Sequence, residues 1–304
     1  MRGVFVDANE SLALIFERLE KPDDPKVSIH RDPDIKSDQL PKVLEGAEIA
    51  IVDHTALPTD VAKKCTGLKH VVFLGTGARS YMNPEELAEV GIIVHLIKGY
   101  GDTAVAESAI ALMWASARVL AQMDREMRDG NWLREDGMQL TGKTLGLIGF
   151  GGIAAEVARI ALGSGMRVIA WNRTPKSYPN VEFVDLNTLL VASHVVSLHL
   201  LLNDETSGFL SRQRIAAMRP GVILVNTARG AIVDEQAMIA ALRSGHIRHA
   251  GLDVFNVEPL PADHPLTKLP NVTLSAHSAF RTPEASENLM AAAWDHCRRI
   301  AKGE

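Results

Sequence analysis

The chain has 304 residues, a formal net charge of −5 and 46% hydrophobic residues, a composition typical of a folded globular protein. At about 100–200 residues per domain, this length favours two domains. We expect no membrane span, because no run of about 18 apolar residues is present. No run of about five basic residues is present either, which argues against nucleic acid as the partner. Asp7 comes too early for a signal peptide, so we expect a cytoplasmic protein.

The two cysteines, Cys65 and Cys297, lie far apart in the sequence. Such low cysteine usage is typical of the reducing cytosol, and we expect both thiols to be free. Two cysteines are also too few for a Cys-rich zinc site. We therefore predict no metal centre.

The first hundred residues alternate short runs rich in Val and Ile with helical segments. The predicted strands are Gly3–Val6, Lys26–Ile29, Glu48–Val52, Lys69–Leu74 and Ile92–Leu96. The predicted helices are Glu10–Leu19, Gln39–Leu44, Pro58–Cys65 and Pro84–Val90. This alternation indicates βαβ crossovers, a parallel sheet and an α/β fold.

A long helix follows, from Asp102 or Thr103 to Arg128, and the alternation then restarts near Thr144. Six further strands are predicted: Thr144–Gly149, Arg167–Trp171, His194–Leu198, Val222–Asn226, His249–Asp253 and Val272–Ser275. A last helix spans Pro283–Lys302. The restart indicates a second parallel α/β sheet.

A glycine-rich segment directly follows the strand that begins at Thr144. It reads Gly149-Phe150-Gly151-Gly152-Ile153-Ala154 and opens a helix. Glycines at this point let the chain turn tightly and let backbone N–H groups approach a pyrophosphate. A lone glycine pattern also fits an ordinary strand-to-helix turn, but the flanking strand and helix favour dinucleotide binding. We predict that the segment from Gly149 to Ile153 binds the cofactor.

The end of the next strand distinguishes NAD from NADP, because an acid there would bind the ribose hydroxyls of NAD. This chain has Asn172-Arg173-Thr174 instead. These side chains can donate to a 2′-phosphate, and Arg173 adds a countercharge. We predict a preference for NADP(H), with NAD(H) still possible. The alternative is that Arg173 is only a solvated loop residue.

Ligands of open α/β sheets bind at the carboxyl ends of the strands. Three strands of the second half deliver Arg229, Glu258 and His277 to that edge. Reduction of a ketone by hydride needs a proton donor beside the oxygen, and an imidazole suits that role. A neighbouring carboxylate favours the imidazolium, and an arginine can grip a substrate carboxylate. Alternatively, Arg229 forms a salt bridge with Asp234, and Glu258 is a turn residue.

Four motifs in register resemble the D-isomer-specific 2-hydroxyacid dehydrogenase family, and the resemblance covers essentially the whole chain. They are Gly149–Ala154, Asn226–Gly230, Gly251–Phe255 with Glu258-Pro259, and His277. The resemblance implies a catalytic trio of Arg229, Glu258 and His277, with Arg229 and His277 also binding substrate. It further implies that Thr227, Ala228, Arg229 and Asp253 contact a nicotinamide cofactor. Gly75-Thr76-Gly77 is then the loop that binds the substrate carboxylate.

The resemblance and the restarted pattern together imply that one Rossmann or flavodoxin-like domain is inserted into another. Residues 1–100 and 283–304 would form the substrate-binding domain, and residues 101–282 the NAD(P)-binding domain. The family implies a homodimer that acts on small 2-oxo or 2-hydroxy acids, with glyoxylate and hydroxypyruvate as the leading substrates. Arg79, Met82, Phe280 and Arg281 depart from the usual pattern near the substrate, so a bulkier 2-oxo acid remains an alternative. A second alternative is a corepressor-like protein of the same fold that senses NAD(H).

Overall fold

The computed structural model describes residues 1–304, which fold into two compact units. Unit 1 comprises Met1–Gly101 and Arg281–Glu304, and unit 2 comprises Asp102–Phe280. Unit 2 is therefore an insertion in unit 1, as predicted. These bounds lie within two residues of the predicted domain limits.

Unit 1 is a five-stranded, fully parallel sheet of order β2-β1-β3-β4-β5, covered by helices. Its strands are β1 (Arg2–Phe5), β2 (Lys26–Ile29), β3 (Ile49–Val52), β4 (His70–Phe73) and β5 (Ile93–Leu96). Its helices are α1 (Glu10–Arg18), α2 (Leu40–Val43), α3 (Thr59–Ala62), α4 (Pro84–Glu89) and, from the end of the chain, α11 (Pro283–Lys302). This strand order is that of flavodoxin-like folds.

The carboxyl-terminal helix belongs to unit 1 because its apolar face packs on α1. The rings of Phe16 and Trp294 stack with centroids 4.2 Å apart, and the Trp294 indole N–H donates to the Phe16 carbonyl at 2.8 Å. Both side chains are almost completely buried. The last helix thus completes the core of the unit in which the chain begins.

Unit 2 contains a seven-stranded parallel sheet of order β12-β11-β10-β9-β6-β7-β8. Its strands are β6 (Thr144–Ile148), β7 (Arg167–Trp171), β8 (Val181–Phe183), β9 (Val195–Leu198), β10 (Val222–Asn226), β11 (Ile247–Leu252) and β12 (Val272–Leu274). Its helices are α5 (Asp102–Ala117), α6 (Leu120–Arg128), α7 (Gly152–Gly163), α8 (Leu186–Ala192), α9 (Arg212–Ala217) and α10 (Glu235–Ser244). Its strand order is the Rossmann order with one additional edge strand. The central strands β6, β9 and β10 are completely buried, because helices cover both faces of the sheet.

Two predictions about unit 2 were wrong. The predicted helix from Asp102 to Arg128 is broken into α5 and α6, which meet at an angle of 66°. Val119 adopts a left-handed conformation at the break, with φ of 56°. The sequence analysis also missed β8, a three-residue edge strand that pairs with β7.

Both cysteines are free, as predicted, and the structure shows that both are buried. Burial raises the pKa of the Cys65 thiol to about 11 and that of the Cys297 thiol to about 12. No single helix has the length and apolar character needed to cross a membrane, although α5 and α6 together meet that test of length and composition. The residues contain no cluster of histidine, cysteine and carboxylate groups suited to a metal ion.

Candidate active site

The glycine-rich segment lies at the switch point of the unit 2 sheet, between β6 and β9. Gly149 has φ of +87°, and a side chain there would lie 2.6 Å from the His199 carbonyl oxygen. Gly149 is thus required both by its backbone conformation and by the closeness of the neighbouring loop. Ala154, at the third glycine position, is fully buried where α7 packs on the sheet.

The start of α7 has the features of an anion site. The helix begins at Gly152 after Gly151, so no side chain caps its first N–H groups. A Cβ at Gly151 would meet only open space, which leaves room for a ligand close to the backbone. The hydroxyl of Thr227, on the loop after β10, is buried without a hydrogen-bond partner. Free backbone donors and an orphaned hydroxyl are what the pyrophosphate and ribose of a dinucleotide need.

A carboxylate that the sequence analysis missed touches this segment. The Oδ2 atom of Asp102 would lie 1.8 Å from a Cβ at Gly152, so any other residue there would force the Asp102 side chain to move. Burial, together with repulsion from Glu156, raises the pKa of Asp102 above its usual value. A phosphate bound at this helix end would raise that pKa further, because two nearby negative charges repel.

The segment after β7 carries the predicted determinants of cofactor choice. Asn172 accepts a hydrogen bond from the Phe150 N–H at 3.0 Å and donates to the Thr174 carbonyl at 2.8 Å. Arg173 is exposed and pairs with Glu205. Lys176, which the sequence analysis missed, donates to the Phe150 carbonyl at 2.7 Å. The ammonium group of Lys176 therefore lies against the glycine-rich segment.

Arg229 lies on a turn that the buried side chain of Asn226 organises. The Asn226 amide donates to the Arg229 carbonyl at 2.9 Å and accepts from the Ala228 N–H at 3.0 Å. The Arg229 guanidinium donates to the Ala228 carbonyl at 2.6 Å and forms no ion pair. Asp234, the alternative partner, instead accepts from the Ala237 N–H at the start of α10. The guanidinium charge is therefore available to an anionic ligand.

The turn that carries Arg229 touches the loop that carries Glu258. A Cβ at Gly230 would lie 2.1 Å from the Phe255 carbonyl carbon, so only glycine allows this approach. The Phe255 N–H in turn donates to Glu258 Oε1 at 2.8 Å. Because β10, β11 and β12 are adjacent and parallel, their following loops share one edge.

His277 and Glu258 form a short hydrogen bond at this edge. His277 Nδ1 lies 2.6 Å from Glu258 Oε2, and about a third of each side chain is exposed. Since Glu258 Oε1 is held by the Phe255 N–H, the carboxylate is fixed from both oxygens. His277 Nε2 has no partner within the protein and is free to meet a substrate. The pairing expected from the sequence is therefore present.

The backbone of His277 is held in a conformation that few residues other than glycine adopt, with φ of 47°. Asp253, only 1% exposed, fixes it there. Its carbonyl accepts the His277 N–H at 2.7 Å, and its two carboxylate oxygens each accept one N–H, from Ser278 and Ala279, at 3.0 Å. Asp253 is thus a positioning residue for His277, a role that the resemblance did not imply. Its contact with the cofactor stays a prediction.

In unit 1, Gly75-Thr76-Gly77 follows β4. Thr76 is exposed, and the N–H groups of Thr76 and Gly77 have no acceptor within the protein. Adjacent backbone donors of this kind can bind an anion. Binding of a substrate carboxylate by this loop stays a prediction.

The loop after the adjacent strand β3 carries a histidine that the sequence analysis did not single out. Buried Asp7 accepts the N–H groups of three consecutive residues, Asp53, His54 and Thr55. His54 Nδ1 lies 3.2 Å from Asp53 Oδ2, and its Nε2 lies 2.7 Å from the Pro33 carbonyl oxygen. The hydrogen bond to Asp53 raises the pKa of His54 to about 9. Both ring nitrogens face acceptors, which suits the doubly protonated ring.

Comparison with known proteins places the chain among proteins of related architecture. The family model described as D-isomer specific 2-hydroxyacid dehydrogenase, NAD binding domain, matches residues 110–279. A hydroxypyruvate reductase of Thermotoga maritima is 38% identical over 262 residues, covering 84% of this chain and 85% of that protein. A glyoxylate reductase of Thermococcus litoralis is 39% identical over 233 residues, covering 72% and 70%. The solved structure of an acyclic imino acid reductase in complex with NADPH and D-Arg has a TM-score of 0.88 and 28% identity, covering 100% and 98%.

Proposed function

Because the chain belongs to the D-isomer-specific 2-hydroxyacid dehydrogenase family, and is therefore an NAD(P)-dependent oxidoreductase, we propose that it reduces small 2-oxo acids to D-2-hydroxy acids with a preference for NADPH. Glyoxylate and hydroxypyruvate are the leading substrates, since similar proteins bear those names. The observation that carries the proposal is the His277–Glu258 pair, whose outer imidazole nitrogen is free.

In this reaction a bound nicotinamide cofactor supplies the hydride. Residues Gly149 to Ile153, Thr227 and Ala228 would hold it, through the open backbone donors and the buried hydroxyl described above. Asn172, Arg173 and Thr174 follow β7, where an acid that favours NAD is missing. The solved imino acid reductase of similar fold binds NADPH, which also supports this choice.

His277 is the proton donor. Its Nδ1 stays on Glu258, so the proton at Nε2 is the one transferred to the substrate oxygen as negative charge develops there. Glu258 stabilises the imidazolium and keeps the ring oriented, because both of its carboxylate oxygens are held. The unpaired guanidinium of Arg229 binds the substrate carboxylate and polarises the carbonyl group.

A panel of kcat/KM values tests this function, with glyoxylate, hydroxypyruvate, pyruvate and phenylpyruvate, each with NADPH and with NADH. We expect turnover of glyoxylate and hydroxypyruvate, faster with NADPH, and a D-configured product from hydroxypyruvate. A preference for phenylpyruvate would favour the reductase of bulkier acids. Cofactor binding without turnover of any 2-oxo acid would contradict the proposal and favour a cofactor-sensing binding protein.

We also propose that the protein is a homodimer. Apolar side chains on α6 and in the segment that follows it are solvent-exposed, among them Leu120, Met127 and Trp132. Apolar surface of this kind is typical of protein interfaces. Sedimentation analysis is expected to give twice the monomer mass of 33.0 kDa, and a monomer at all concentrations would contradict the proposal.

A further inference from the structure

The cation predicted to bind a 2′-phosphate already has an anionic partner. Arg173 Nη1 donates to Glu205 Oε2, and the two side chains are 72% and 69% exposed. An exposed pair of this kind contributes only about 0–1 kcal/mol, because water competes for both charges. It can therefore be displaced by a stronger anion.

Glu205 is held by an ordered turn. The Asn203 side-chain oxygen accepts the N–H groups of Glu205 and Thr206, each at 3.0 Å. The Thr206 hydroxyl donates to the Leu201 carbonyl at 2.6 Å. The carboxylate is thus presented to Arg173 from a fixed backbone, on the loop that follows β9.

Lys176 gives this surface a second positive charge. Its ammonium group donates to the Phe150 carbonyl and forms no ion pair. The segment after β7 therefore carries two cations, of which only Arg173 is paired with a carboxylate. A phosphate dianion carries more charge than a carboxylate, and it can accept hydrogen bonds from Arg173 and Lys176 together.

We propose that Glu205 sets the selectivity between cofactors with and without a 2′-phosphate, by competing with that phosphate for Arg173, and that Lys176 is the second phosphate anchor. This inference rests on the NADP(H) preference proposed above. Glu205 lowers the affinity for the phosphorylated cofactor, whereas a ligand without the 2′-phosphate leaves the Arg173–Glu205 pair intact.

Titration calorimetry with 2′,5′-ADP and 5′-AMP tests the proposal without any turnover. In Glu205→Gln, we expect 2′,5′-ADP to bind about two- to fivefold more tightly, the range set by an exposed ion pair. Binding of 5′-AMP is expected to stay within about twofold. Asp204→Asn is the matched control, because it removes the same charge from the same turn at a side chain without an Arg173 contact. It is expected to leave both ligands unchanged.

Two further variants distinguish a failure of the Glu205 proposal from a failure of the proposed NADP(H) preference. Arg173→Ala is expected to lower the affinity for 2′,5′-ADP about tenfold or more, the usual loss for a charge-assisted hydrogen bond. In the Arg173→Ala background, adding Glu205→Gln is expected to leave that affinity unchanged. Lys176→Ala is expected to lower the affinity for 2′,5′-ADP but not the affinity for 5′-AMP. If Arg173→Ala weakens 2′,5′-ADP while Glu205→Gln does not tighten it, the role of Glu205 is wrong and the NADPH preference stands. If Arg173→Ala does not change the affinity for 2′,5′-ADP, both the role of Glu205 and the proposed NADPH preference are wrong.

Discussion

The carboxyl edges of the two sheets are built alike. Each carries a buried aspartate, Asp7 in unit 1 and Asp253 in unit 2, which are 0% and 1% exposed. Each aspartate accepts backbone N–H groups from the loop after a neighbouring strand. Each of those loops presents a histidine hydrogen-bonded to a carboxylate, His54 to Asp53 and His277 to Glu258.

The carboxyl edges of the two sheets differ at the Nε2 atom of the histidine. In His54 it donates to the Pro33 carbonyl, so the ring is bound on both sides. In His277 it has no protein partner. A buried aspartate, an ordered loop and a carboxylate partner are therefore not enough to identify a proton donor, because a ring whose two N–H groups both donate within the protein presents no proton to a substrate. The free Nε2 is the feature that makes His277 the candidate acid.

The largest expected effect comes from removing each histidine in turn. His277→Gln is expected to lower kcat about 10²–10⁴-fold, the usual contribution of a general acid, while the dissociation constant for NADPH stays within about twofold. His54→Gln is expected to leave kcat within about threefold, since it offers no free nitrogen. Stopped-flow or steady-state turnover and cofactor fluorescence measure the two quantities. Equal losses in both variants would contradict the distinction between the edges.

The two buried aspartates provide a second comparison. Asp253→Asn and Asp7→Asn each place an amide N–H₂ group against backbone donors, and each is expected to lower the free energy of unfolding by about 1–3 kcal/mol. Only Asp253→Asn should also lower kcat, because it loosens Ser278 and Ala279 directly after His277. Urea unfolding and turnover measure these outcomes. Full activity in Asp253→Asn at a temperature where it is folded would show that Asp253 does not position His277.

Glu258→Gln tests whether the carboxylate at the carboxyl edge of the unit 2 sheet stabilises protonated His277. Reduction needs the protonated imidazole, and the carboxylate stabilises that form. Without it, the pH above which kcat/KM for reduction declines is expected to move down. A profile of kcat/KM against pH measures the shift. An unchanged profile would show that Glu258 does not control the protonation of His277.

The smallest effect concerns the pH dependence of stability at the unit 1 edge. The pKa of His54 is raised from 6.5 to about 9, so its ionic contribution is complete below pH 6.5 and disappears as the pH rises through 9. Because the side chain is 45% exposed, we expect only about 1 kcal/mol. The difference in unfolding free energy between the native protein and His54→Gln should therefore be larger at pH 6 than at pH 9.5. A difference that is constant with pH would contradict the charged state of His54.

The sequence predicted the catalytic trio, but it did not predict the contacts that hold these residues in place. Arg229, Glu258 and His277 could be identified because the loops after parallel strands lie at the same edge of the sheet. The family motifs then matched these three positions. The direction of the Asp253 carboxylate could not be predicted, because the sequence does not reveal which backbone groups of a distant loop lack acceptors. The same holds for the Asp102–Gly152 contact and for the Arg173–Glu205 pair, whose partners are far apart in the chain.

The fold shows the same division. Short runs rich in Val and Ile predicted almost every strand, with ends that differ by at most two residues. The break at Val119 was missed because neither glycine nor proline marks it, and tertiary packing places a valine in an unfavourable conformation there. The strand Val181–Phe183 was missed because three residues at a sheet edge are too few to show a periodic pattern.

The most direct test is a ¹⁵N NMR measurement of the imidazole nitrogens of His54 and His277, assigned with the two glutamine variants. The protein is measured with NADPH before and after addition of oxamate, an unreactive analogue of a 2-oxo acid. We predict that the Nε2 resonance of His277 shifts on addition, while both nitrogens of His54 remain protonated and unchanged. A response at His54 with none at His277 would contradict the account.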